Sequence, residues 1–334
     1  MTSKPAFRRL AAIAAVLVGV LTVLIAPVAY GQPPTSAYQS QYLSRVESHY
    51  VDTDLARFHY TRTGAGSPVV LVAGGGLWGY SLRDAIPALA AEHTVYTVDL
   101  PSQGFTDVHR GDFAYDLPAM SRALETFLDA VGLQRTALVG HSWGGAWSLY
   151  FAEQYPDRVD HLVLLDSPGL DAEKAPVTPL FTTPVAGELT TRSSYADNIR
   201  GTFQNKHLVT EEVIDELYAP FSRPANRAGF LLLWRNLDYR LTDAGLGQVT
   251  APTLVLWGGA DTWLPASQAD RLAARISDAT ATVLPNCGHA VHGDCPAQTN
   301  PLITAFRAES RRSPAERRLA VAIRPDLGSD ANKR

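Results

Sequence analysis

Gly140-His141-Ser142-Trp143-Gly144 sets one serine between glycines two positions away on either side. A serine hydroxyl is a weak nucleophile until a base removes its proton. The base expected is a histidine, and that histidine needs a carboxylate to hold its tautomer and steady its charge. In chain order, Ser142 is followed by Asp261, closing "LVLWGGAD", and by His289, in "NCGHAVH". His292 competes for the role of base, and Asp166, after "HLVLL", is the alternative acid. His141 touches the same turn, but a base adjacent to the nucleophile in sequence points the wrong way. Attack by Ser142 puts negative charge on a substrate oxygen, which backbone N–H groups must meet. Trp143, directly after the serine, offers one. The early turn "AGGGLW" offers the other, from Gly75 with Gly76 in reserve. Together these groups would transfer an acyl group to water through a covalent intermediate.

Such groups must be delivered to one place by the elements before them. "SPVVLVAGGG", "HTVYTVDLPSQG", "RTALVG", "VDHLVLLDSPG", "APTLVLWGGAD" and "ATVLPNCGH" read as strands. Strands this apolar are buried on both faces, which implies a mostly parallel sheet flanked by helices, an α/β fold. Between them, "DLPAMSRALETFLDAVGL" is an amphipathic helix with Asp116 as cap and Gly132 as stop; "GAWSLYFAEQYP" and "QADRLAARI" are two more. The glycines at 74–76, Ser142, Asp261 and His289 all follow apolar runs, and sites in such sheets form at the carboxyl ends of the strands. From 168 to 248 the alternation lapses into helical patches ("TEEVIDELYAPF", "NRAGFLLLWRNLDYRL"), which predicts a helical cap over the site. The core then comprises 36–167 and 249–310, opening with a polar lead-in.

The ends of the chain are different in kind. Lys4, Arg8 and Arg9 precede an uncharged stretch from Leu10 to Tyr30, and the first acidic residue is Glu47. That pattern predicts an export signal over 1–31. The apolar stretch is close to the roughly 20 residues that cross a bilayer, so an uncleaved anchor and membrane association stay open. Residues 311–334 form a basic tail expected to lack fixed order. Cys287 and Cys295, the only cysteines, bracket His289; outside the cytoplasm such a pair forms a disulfide. The chain carries 29 basic and 33 acidic groups, net −4, without a recurring basic stripe, which argues against nucleic acid as a partner. No nucleotide-binding pattern or metal cluster is legible, so no cofactor is expected. The expected partner is a small-molecule substrate, and oligomeric state is not encoded in any legible pattern.

From Arg57 to Ala308 the chain resembles the α/β-hydrolase superfamily, through "VVLVAGGG", "YTVDLPSQGFTD", "LVGHSWGG", "VDHLVLLDSPG", "APTLVLWGGADTWLP" and "PNCGHAVHGDCP" in family order. The resemblance implies the α/β-hydrolase fold, a Ser142–Asp261–His289 triad and the helical cap. Ala73 departs from the histidine usual at the first glycine turn, and Ser102-Gln103 replaces the commoner Gly-His, which would alter a loop but not the triad. Serine at 142, where dehalogenase and epoxide hydrolase relatives carry aspartate, disfavours those activities.

The expected activity is an exported serine hydrolase acting on carboxylic esters of small or medium hydrophobic substrates, with Trp78, Trp143 and Trp234 walling the pocket. An aminopeptidase of the proline-iminopeptidase kind is the alternative, and would need Glu211, Glu212 or Glu216 to hold a free amine. A third reading keeps the pocket but uses cofactor-free oxygen or lyase chemistry, in which the serine is dispensable.

Overall fold

The computed structural model describes residues 40–170 and 191–309. The expected export signal over 1–31, the expected tail 311–334 and residues 171–190 of the expected cap lie outside the described residues. Nine strands form one sheet: β1 (Ser48–Asp52), β2 (Ala56–Thr63), β3 (Ser67–Val72), β4 (His93–Val98), β5 (Asp107–Val108), β6 (Thr136–His141), β7 (Val159–Leu165), β8 (Thr253–Gly258) and β9 (Ala279–Leu284). Their order is β1-β2-β4-β3-β6-β7-β8-β9, with β5 beside β2. The pairings from β4 to β9 are parallel; β1, β2 and β5 add an antiparallel edge. That edge lies within the expected core 36–167 but outside the strands read from the sequence, which begin at Ser67.

Strand periodicity divides the core. Val69 and Leu71 of β3 join Val139, Val163 and Leu256 on one face. Val70 and Val72 join Leu138, Leu164 and Val255 on the other, because successive side chains point to opposite sides. The first face is covered by α1 (Ile86–Ala90) and by the C-terminal helix α10 (Pro296–Glu309). The second is covered by α2 (Leu117–Ala130), α3 (Trp143–Gln154) and α8 (Ser267–Ala273). Asp116 caps α2, its carboxylate accepting the Ala119 N–H at 2.7 Å. α3 is apolar all round and almost wholly buried, as a helix central to the fold must be.

The described part of the cap is helical: α4 (Arg192–Gly201), α5 (Glu211–Phe221), α6 (Pro224–Asn236) and α7 (Arg240–Gly245). Its underside is a separate aromatic and aliphatic cluster with Tyr195, Ile199, Ile214 and Phe221 at its centre. One short helix, α9 (Val291–Asp294), follows β9. Among the described residues, no helix is long and apolar enough to cross a membrane.

Candidate active site

Ser142 stands at the corner where β6 becomes α3. Its φ is +50° and ψ −124°, a backbone region that ordinary residues occupy at a cost of about 1–3 kcal/mol. The corner survives because its surroundings fix it. The Ser142 N–H donates to the Leu165 carbonyl at 2.9 Å, tying it to β7. A Cβ on Gly144 would stand 2.3 Å from the Val72 carbonyl oxygen, and one on Gly140 would stand 2.6 Å from the Gly144 carbonyl oxygen. The two glycines therefore exist so that helix and strand can touch.

Three side chains distant in sequence meet at this corner. The Ser142 Oγ lies 3.0 Å from His289 Nε2, and His289 Nδ1 lies 2.8 Å from Asp261 Oδ2. An ionised carboxylate only accepts, so Nδ1 carries the proton and Nε2 offers its lone pair to the serine hydroxyl. The Asp261 side chain is fully buried, and its other oxygen accepts the N–H groups of Trp263 and Leu264 at 2.7 and 3.0 Å. Trp263 stacks flat on the His289 ring, centroids 5.4 Å apart.

Asp166 takes no part in this chain. Its two oxygens accept the N–H groups of Gly258 and Val291, at 2.7 and 3.0 Å, binding the end of β8 to α9. Burial, with the neighbouring Asp261 charge, pushes its carboxyl well above the usual carboxylate range. His292 lies apart from the serine too, its ring 4.4 Å from that of His141. His141 Nε2–H donates to the His289 carbonyl at 3.0 Å, so the histidine before the nucleophile supports the backbone of the base.

The loop bearing His289 is closed by the Cys287–Cys295 disulfide. Within it Asp294, which no sequence pattern singled out, accepts N–H groups from Gly288, Gln204 and Asn205 at 2.6, 2.9 and 2.9 Å. One carboxylate thus joins the base-bearing loop to the cap. Gln103 is a second unanticipated support: its side-chain amide donates to the Ala73 and Gly74 carbonyls at 2.9 and 2.8 Å. The replacement at 103 therefore reaches the glycine turn beside the nucleophile rather than altering a loop alone.

Gly75 belongs to that turn, and a Cβ there would collide with the Trp143 indole at 2.1 Å. Trp143 is the first residue of α3, so its N–H has no partner within the helix. Gly75, Ser142, Trp143 and His289 all face a cavity of about 1090 Å³, mouth included, whose walls carry Phe230, Trp234 and Tyr239. Trp143 stacks on Phe230 with centroids 5.4 Å apart, and Trp234 lies 5.4 Å away. The Tyr195 hydroxyl donates to the Gly76 carbonyl at 2.8 Å, and the walls are mostly apolar, with Asn198 a polar exception.

Trp78 is a correction. It is 1% exposed and faces neither this cavity nor its neighbour; its indole N–H donates to the Glu216 carbonyl at 2.8 Å, within an aromatic cluster under the cap. The acidic residues of α5 are also committed elsewhere. Glu211 pairs with Arg192 and Arg200, and the Glu216 carboxylate accepts from the Ser40 hydroxyl and the Tyr42 N–H. None of the three, Glu212 included, lines the cavity. Among the described residues no group of three His, Cys, Asp or Glu side chains is set to hold a metal ion.

The family model described as the alpha/beta hydrolase fold matches residues 67–296. The chain belongs to the α/β-hydrolase family. A 2-hydroxy-6-oxo-6-phenylhexa-2,4-dienoate hydrolase of Comamonas testosteroni is 31% identical over 251 residues, 71% of this chain and 87% of that protein. Haloalkane dehalogenase 2 of Mycobacterium tuberculosis is 30% identical, across 75% of this chain and 91% of that one. In structure, a meta-cleavage product hydrolase of Pseudomonas fluorescens superposes with a TM-score of 0.69 at 24% identity, covering 78% of this chain and 98% of its own. A hydrolase is the activity that the family and these relatives support.

Proposed function

We propose that the chain is an exported serine hydrolase that cleaves a carboxylic ester with a small or medium apolar group. The carrying observation is the continuous hydrogen-bonded chain from Ser142 through His289 to Asp261 on the floor of an apolar cavity. Ser142 attacks the ester carbonyl while His289 takes its proton, and Asp261 steadies the resulting imidazolium. The N–H groups of Trp143 and Gly75 receive the oxyanion, each worth about 10²–10³ in rate in such sites. His289 then protonates the departing alcohol and later activates water against the acyl-enzyme.

Serine also argues against the dehalogenase and epoxide readings. Displacement at an alkyl carbon by Ser142 would leave an ether, which water cannot hydrolyse as it does the ester formed by an aspartate. Among the described residues, the iminopeptidase reading lacks its amine-binding carboxylate: Glu211, Glu212 and Glu216 do not line the cavity. Carbon–carbon bond hydrolysis is the second reading, favoured by the dienoate hydrolase likeness. Export rests on the basic head, the uncharged stretch to Tyr30 and the disulfide.

Purified protein and its Ser142→Ala variant, assayed on p-nitrophenyl esters and on a 2-hydroxy-6-oxo-dienoate, separate these readings. Ester turnover lost with Ser142 supports the proposal. Turnover of the dienoate alone favours carbon–carbon cleavage. Activity that survives Ser142→Ala but dies with His289→Ala points to non-hydrolytic chemistry. Sequencing the N-terminus of the exported protein tests the signal.

A further inference from the structure

A second cavity of about 570 Å³, mouth included, meets the first at Gly75, Ser142, Ile199, Trp263 and His289. Gly75, Ser142 and His289 belong to the reaction. Ile199, from cap helix α4, and Trp263, from the loop after Asp261 and stacked on His289, are the side chains that part the two spaces. The remaining walls of the second cavity are mostly apolar: Leu77 beside the glycine turn, with Phe203, Val213 and Leu217 from the cap.

Polar residues border this space too, but they do not offer it polar atoms. His141 Nδ1, His292 Nδ1 and Ser81 Oγ are covered, and His141 Nε2 is spent on the His289 carbonyl. The Arg83 guanidinium is committed elsewhere, lying over the Tyr80 ring at 4.4 Å and 3.4 Å from Asp84. A chamber walled in this way holds water poorly and is filled favourably by hydrocarbon. The chemistry at Ser142 says what could fill it. An ester carbonyl carbon bears two substituents, an acyl chain and an alkoxy group. Both lead away from the carbon that the Ser142 hydroxyl attacks, and each needs room of its own.

We propose that the second chamber is an apolar subsite for one half of the ester, the first chamber taking the other half. The substrate class is then an ester that is hydrocarbon on both sides of the scissile bond, an alkyl or aryl ester of an apolar acid. Esters of sugars, polyols and charged alcohols are excluded, because their polar groups would lose water in either chamber and gain few partners. The inference rests on the ester-hydrolase reading of Ser142 and deepens it. Because Ile199 and Trp263 stand between the chambers, each half of the substrate is selected separately.

Two ester series test it: acetates lengthened on the alcohol side from methyl to butyl, and methyl esters lengthened on the acyl side from acetate to hexanoate. For the wild type, kcat/KM measured by acid release should rise about fourfold per methylene in both series until a chamber fills. Val213→Trp fills the second chamber, and Leu237→Trp fills the first, which is the only one Leu237 borders. Each variant should flatten one series and keep the slope of the other, and the two should flatten opposite series. Slopes are compared within one variant, so a general loss of folded enzyme does not move them. Where a tryptophan variant yields no folded protein, Val213→Ala and Leu237→Ala carry the same test by enlargement. Each should then extend one series by a further methylene, and the two should extend opposite series. A wild-type series that stays flat on either side, or variants that act on the same series, on both or on neither, overturns the subsite. Absence of turnover of every ester by the wild type instead overturns the reading of Ser142. Calorimetric Kd values for the two series on Ser142→Ala then decide the chambers by the same slopes.

Discussion

Ser48, His59 and Asp99 are joined in the same order as Ser142, His289 and Asp261, and at nearly the same distances. Ser48 Oγ is 2.8 Å from His59 Nε2, and His59 Nδ1 is 2.7 Å from Asp99 Oδ2. The catalytic candidates show 3.0 and 2.8 Å. Both carboxylates also brace loops: Asp99 accepts the N–H groups of Gly79 and Phe105 as Asp261 accepts those of Trp263 and Leu264. What differs is where the serine stands. Ser48 lies in the regular strand β1 on the antiparallel edge, exposed and unstrained. It begins no helix, and it lines neither cavity described above. Ser142 has the strained corner, the N–H of Trp143 beside it and two cavities meeting above it. Relay bonds alone therefore do not make a site; a place for the substrate and for its developing charge does.

The widest separation is expected between the two serines. Ser142→Ala should lower kcat/KM by about 10⁵-fold or more, whereas Ser48→Ala should change it by less than about twofold, away from any catalytic contact. A fluorophosphonate should label the Ser142 peptide alone. Labelling at Ser48 would break the comparison. The aspartates come next. Asp261→Asn should cost about 10⁴ in kcat, since the histidine loses its tautomer. Asp99→Asn should instead lower stability by about 1–3 kcal/mol, read by denaturant unfolding, as buried N–H groups lose their acceptor.

Glu153, on the nucleophile's own helix, sharpens the division between stability and catalysis. Its carboxyl is buried without a partner and pushed up to about 9 by burial. A raised carboxyl pKa favours the neutral folded form, so stability is full below the unfolded value near 4.5 and falls as pH rises toward 9. Glu153→Gln should recover about 3 kcal/mol at pH 7 and flatten that decline, measured by melting across pH. Reducing the Cys287–Cys295 bridge should cost about 2–3 kcal/mol, with ester turnover falling before the fold is lost. Gln103→Ala should be the mildest: kcat down about tenfold with KM little changed, because only the glycine turn loosens.

Elements read well from sequence where apolar runs carried the signal: β3, β6, β7 and β8, whose inner residues are buried on both faces. β1 escaped because none of its residues is buried, and β2 because its buried Ala56 and Phe58 are followed by buried polar residues rather than by an apolar run. His59 is satisfied by Asp99 and Thr61 by Thr97, so no apolar run marks them. Ser142 is legible from its glycines, and Asp261 is preferred over Asp166 although both end strands; the backbone N–H groups that occupy Asp166 and the bond from His289 Nδ1 to Asp261 agree with that preference. Trp78 misled because a large aromatic beside a glycine turn reads equally as wall or as core. The contacts of Gln103 and Asp294 are not legible in the sequence, since they reach backbone atoms 30 and 90 residues away.

The Asp294 clasp carries a mechanical consequence. Lifting the roof as one plate would pull Gln204 and Asn205 off the carboxylate that also holds Gly288, the neighbour of the base. Strain on the roof would thus be felt at the neighbour of the base through one carboxylate.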